Sequence, residues 1–165
     1  MKDGACSRNI SLIFGTNMKI EELSIGDWIN VEIYDKNGSH TFEKDIICGI
    51  SYIPRKDEMG VLTKHYGDSD ELITLYDIEP IILSKAILSA HFSENLNEDY
   101  TEWFRQNNKT LFTVFCKNGL WNLIWDDTTN TLTIEDDPTI EMKYVHELQH
   151  YLRLSNVDIK INLEQ

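Results

Sequence analysis

The chain has 165 residues, 41% hydrophobic, 10% aromatic and 26% charged, which are proportions of a globular protein and exclude a disordered or low-complexity chain. Against 28 Asp and Glu stand only 15 Lys and Arg, a formal net charge of -13; so acidic a surface repels nucleic-acid phosphates and anionic membranes, which excludes a general nucleic-acid binder. The three cysteines, Cys6, Cys48 and Cys116, are scattered and form no CxxC, which excludes a disulfide scaffold and predicts a reducing, cytoplasmic location.

Residues 1–17 hold one short apolar patch and no signal-peptide pattern; they are expected to be a poorly ordered extension, with Met18 a possible alternative start. No run approaches the length of a membrane span. Trp28–Tyr34 alternates apolar and polar residues and predicts a strand, turned by Asp35-Lys36-Asn37-Gly38 into a second strand over 41–50. Further short strands are expected on either side of a loop at 54–60, and at 71–76 after the turn at 67–70. This spacing predicts a curled, barrel-like β-unit over 18–80.

The rest, 81–165, predicts a helix over 84–92 with Ser84 as N-cap, a second over 98–106, and a β-meander of strands at 110–116, 120–125 and 131–134. Asp137-Pro138 has the form of a helix start, N-cap then N1, so the closing helix is expected to run from Asp137 to Leu154. A last strand is expected over 158–163. Together these predict one compact α+β domain over 18–165, rich in antiparallel strands and closed by a C-terminal helix.

One motif carries chemistry. His146-Glu147-Leu148-Gln149-His150 matches H-E-x-x-H. On a helix the two histidines share a face and can ligate zinc, and the glutamate can act as general base on the bound water. A third ligand would have to come from Cys116 or Asp158, because the metzincin positions hold Arg153 and Asn156 instead of Gly and His. At 100° per residue, His146 and His150 point away from the apolar side made by Val145, Leu148 and Leu152. The reading adopted is therefore two solvent-side histidines, with no metal or cofactor. A zinc hydrolase using His146, His150 and Cys116 as ligands and Glu147 as base is the alternative.

Three stretches resemble a family of short uncharacterised proteins in Bacteroidota genomes and their prophages: residues 18–29 (MKIEELSIGDWI), 78–83 (IEPIIL) and 143–149 (KYVHELQ). In that family the closing helix often carries Gln at the position of Glu147 and Asn at that of His150, which a zinc protease does not tolerate. The resemblance implies an accessory protein of a phage or prophage, acting in counter-defence by sequestering a signalling molecule or blocking a host protein.

Trp121 and Trp125, four apart on one strand, share a face and, with Trp103 and the cations Arg55 and Lys64, are the candidate ligand-binding residues for a small nucleotide-like molecule. Core packing is the competing reading for the tryptophans. Cys48 and Cys116 lie in apolar strands and are expected to be buried. The function expected is non-catalytic binding of a nucleotide-like ligand or a host protein, with a homo-oligomer among the assemblies expected. An acidic DNA-mimic inhibitor is a further alternative.

Overall fold

The structure, a computed structural model, describes residues 18–66, 72–116 and 119–164. The extension expected at 1–17, the turn expected at 67–70 and residues 117–118 lie outside the described residues. The first sheet comprises β1 (Trp28–Tyr34), β2 (His40–Ile53), β3 (Glu58–Thr63), β4 (Ile73–Thr74) and β5 (Ile78–Pro80). Its order is β4-β3-β2-β1-β5, antiparallel throughout. It curls into a half-barrel around Ile29, Val31, Ile47, Val61 and Ile78. Two local devices set the curl. The β2–β3 register slips between Ile47 and Gly49, so Cys48 is left over as a bulge, and bulges increase twist. At Gly60 a β-carbon would stand 2.6 Å from Ile53 Cδ1 and 2.9 Å from the Ile73 carbonyl oxygen, so only glycine lets the neighbouring chains approach.

The second half holds α1 (Lys85–His91), β6 (Ser93–Glu94), α2 (Glu98–Gln106), β7 (Lys109–Cys116), β8 (Gly119–Asp126), β9 (Thr131–Ile134), β10 (Glu141–Met142) and α3 (Val145–Leu154). Its strands form a second antiparallel sheet, β10-β9-β8-β7-β6. Alternate residues of this sheet, among them Phe112, Leu123, Trp125 and Leu132, pack against Leu88 of α1 and against Val145, Leu148 and Leu152 of α3. Each such fully buried side chain contributes roughly 1.5–3 kcal/mol of transfer free energy. Trp28 belongs to this larger core, while its neighbour Ile29 faces the smaller one. Pleating thus makes β1 the wall between the two. The halves are also stitched by backbone bonds, Leu83 to Lys143 at 2.8 Å and Val145 to Ile81 at 2.9 Å, around an Ile82–Tyr144 bridge. No described helix is long and apolar enough to cross a membrane.

The α+β architecture, the curled first sheet, the meander and the closing helix are as expected, but four local expectations are corrected. The closing helix starts at Val145, not at Asp137. The Asp137 carboxylate instead accepts from the Thr139 amide at 3.2 Å and its hydroxyl, making a turn that leads into β10. Residues 158–163 form no strand and no other regular element; within this segment Ile161 and Leu163 are buried. Cys48 is exposed, because the bulge ejects it, and Cys116 is half-buried. The expected 71–76 strand shortens to β4 and gives way to a 3-10 turn over Leu75–Asp77.

Candidate functional site

The H-E-x-x-H motif lies in the first two turns of α3. Glu147 occupies the third helical position, and its Oε2 accepts from the backbone amides of Lys143 at 2.7 Å and Tyr144 at 2.9 Å. These amides precede the helix and need an acceptor, and a glutamate at this position supplies one in many helices. The carboxylate that would serve a hydrolase as base is spent on capping its own helix.

The face opposite Leu148 is partly covered by loop 24–28, which leads into β1. Gln149 is buried and bonds this loop twice: its Oε1 accepts from the Trp28 amide at 3.0 Å, and its Nε2 donates to the Gly26 carbonyl at 3.0 Å. Gly26 has φ of +92°, a conformation that favours glycine and turns its carbonyl towards α3. Asp27, fully buried, is the hub. Its Oδ2 accepts from the Ser24 amide at 2.7 Å and lies 2.8 Å from His150 Nε2, and its Oδ1 accepts from Arg153 Nη2. Arg153 also donates to the carbonyls of Gln149 and Ile25, at 3.1 and 3.2 Å.

His146 corrects the expectation of two solvent-side histidines. It is 4% exposed, stacked on Tyr144 with ring planes 9° apart, and set edge-on to His150 with centroids 6.0 Å apart. Its Nδ1 is buried with no hydrogen-bond partner among the described residues. Burial pushes its pKa below the ordinary histidine value, against the pull of the Glu147, Asp27 and Glu22 carboxylates. His150, part-buried, is held by Asp27.

Cys116, the nominated third ligand, donates from Sγ to the Gly119 carbonyl at 3.2 Å, at the far end of the β7–β8 hairpin. Asp158 lines a cleft beside α3. Among the described residues no group of three His, Cys, Asp or Glu is placed to hold a metal ion. The Asp27–His150 pair has the form of the orienting half of a catalytic triad, but among the described residues no hydroxyl or thiol is bonded to the other nitrogen of His150.

The five candidate ligand residues are dispersed. Trp125 is 2% exposed in the core, donating from Nε1 to Asp127 at 2.8 Å. Trp121 is half-buried against Tyr151. Trp103 is exposed on α2, edge-on to Phe104. Arg55 is exposed in the β2–β3 turn, and Lys64 pairs with Glu164. Lys64 and Trp125 line separate cavities, and Trp103, Trp121 and Arg55 line neither of these.

What the fold does provide is a cleft of about 550 Å3 between loop 24–28, α3 and segment 157–164. Its walls include Ile25, Trp28, Ile46 and Ile161, with Gln149 and Arg153 on the helix side. The Trp28 indole is fixed there by donating from Nε1 to the Ile161 carbonyl at 2.9 Å. Sequence reasoning missed this site because its walls come from three distant stretches. The residue that joins α3 to β1, Gln149, is an unspecified letter of the motif.

No family model, curated protein or solved structure matches this chain.

Proposed function

We propose that this protein is a non-catalytic binding protein, and that its ligand is a small, flat molecule of the nucleotide class taken into the cleft beside α3. The observation that carries this reading is a contrast on one helix. Glu147 and His150 are bonded to the protein's own backbone and to Asp27, whereas the adjacent cleft is open, its wall surface is mainly apolar, and Gln149, Arg153, Asp158, Lys160, Asn162 and Glu164 supply polar groups. Its volume lies in the range of small-molecule sites, which combine apolar walls with a few polar groups. The kinship suggested by the sequence motifs supports the biological form of this proposal: a phage or prophage accessory protein that sequesters a signalling nucleotide as a counter-defence.

A thermal-shift screen of the full chain against cyclic nucleotides and ADP-ribose derivatives tests it. The expected result is a stabilising hit whose shift is lost in Ile25→Glu. Ile25 lines the cleft, is 64% exposed and belongs to neither core, so that charge blocks the cleft without emptying the interior. Uniformly flat curves, or a hit indifferent to Ile25→Glu, overturn the reading.

A further inference from the structure

In a chain of net charge -13, two lysines and a histidine line one hollow. Lys44 on β2 and Lys64 and His65 just after β3 line a concavity of about 430 Å3, together with Trp28, Tyr66 and Glu164. The hollow is built. The buried Asp45 carboxylate accepts from the amides of His65 at 2.9 Å and Tyr66 at 3.1 Å, and its Oδ1 lies 2.9 Å from the ring Nδ1 of His65. Lys64 is further pinned by its amide, which donates to the Ile46 carbonyl at 3.1 Å. The backbone that carries Lys64 and His65 is thereby clamped to the strand that carries Lys44. With Nδ1 tied to Asp45, His65 has Nε2 left for a ligand.

One acid occupies this hollow. Glu164 Oε1 accepts from Lys64 Nζ at 2.5 Å. Both side chains remain nearly half exposed, and an ion pair so well solvated holds weakly. Glu164 therefore marks where an anion sits and can be displaced by a better one. The Lys64 ammonium holds the Glu164 carboxyl below its ordinary range, and His65 adds to that pull. The hollow adjoins the cleft, since Trp28 and Glu164 line both.

We propose that the Lys44–Lys64–His65 hollow is the phosphate subsite of the cleft, and that Glu164 fills it until a phosphate-bearing ligand arrives. This inference rests on the binding reading above and adds which residues take the ligand's phosphate and which side chain gives way to it. Two ammonium groups and one imidazole nitrogen facing the same space suit a phosphate oxygen cluster, which accepts several donors at once.

The test uses the full chain and inorganic pyrophosphate as probe, followed residue by residue in amide 1H–15N spectra. Shifts confined to Lys44, the Lys64–Tyr66 segment and Glu164 are expected. Glu164→Gln removes the competing carboxylate and should tighten pyrophosphate binding on the order of fivefold, the equivalent of an exposed ion pair at the upper end of its usual strength. The double variant Lys44→Gln, Lys64→Gln should lose binding by about tenfold or more; both lysines are surface residues, so the fold survives their loss. Shifts scattered over the surface, no response at millimolar probe, or an unchanged affinity in either variant overturns the subsite. The two readings fail separately. A nucleotide that binds the double lysine variant as well as wild type overturns the phosphate subsite and leaves the cleft standing. A flat nucleotide screen with an intact pyrophosphate response overturns the cleft reading alone.

Discussion

His150 Nε2 lies 2.8 Å from Asp27 Oδ2, joining residues 123 positions apart. The pair is one strut of a polar seam that fastens α3 to loop 24–28, and Asp27 is its shared anchor. Asp27→Ala leaves the Ser24 amide, His150 and Arg153 without their acceptor. It should lower the free energy of unfolding by about 3 kcal/mol, the upper end for hydrogen bonds to a buried charged group. His150→Ala, at a position with a partly exposed side chain, should cost only about 1 kcal/mol. Urea denaturation checks both; an Asp27→Ala protein within about 0.5 kcal/mol of wild type would mean the seam carries no stability.

Glu147 separates a capping role from a catalytic one. Glu147→Gln keeps an acceptor oxygen for the Lys143 and Tyr144 amides and should change stability by less than about 0.5 kcal/mol, since Gln serves the same helix position. Glu147→Ala should cost about 1 kcal/mol, as lost caps do. Thermal melts of the two variants decide the matter: equal losses in both, or none in either, contradict the capping geometry.

His146 makes stability depend on pH. Its folded-state pKa is lowered by burial, so the unfolded chain binds the proton more readily. Stability from this residue is therefore fully present above the unfolded histidine value, about 6.5, and is lost as pH falls from there through the lower folded value. His146→Phe abolishes the titration and removes the unpartnered nitrogen. The melting temperature of wild type should drop between pH 7.5 and 5.5 by more than that of the Phe variant; parallel curves would place the titrating group elsewhere.

The zinc alternative is decided by metal analysis of untagged protein. Because His150 is engaged by Asp27 and Glu147 by its helix cap, zinc should be substoichiometric, and a chelator should leave the melting curve unchanged. One tightly held zinc per chain would require His150 to leave Asp27 and would restore the hydrolase.

Where local chemistry decides structure, the sequence was readable. Alternation over 29–33 marks the strand Trp28–Tyr34, and Ser84 caps its helix as expected, accepting from the Ile87 amide at 3.3 Å. Where a residue type serves two local ends, it was not. Asp137-Pro138 suits a helix start as well as the turn it forms, and only the pairing of Met142 with Leu132 selects the turn. The histidine faces misled for a related reason. Periodicity finds the side of α3 that packs on the sheet, but it says nothing of a loop laid over the other side. Gln149 is buried against Gly26 and Trp28, more than a hundred positions away, and no window along the chain contains both partners. The cleft and the basic hollow share that origin: Trp28, Lys64 and Glu164 meet only in three dimensions.

Trp28 is held by the Gln149 side chain through its amide and by the Ile161 carbonyl through its indole, over 121 and 133 residues. During synthesis on the ribosome, the first strand therefore emerges long before the partners that cover it. Its inward indole has to wait, unsheltered, until residues 149–161 have left the exit tunnel. Such distant closure slows folding and leaves the nascent chain open to aggregation. Chaperone demand should accordingly concentrate on the interval before residues 149–161 become available.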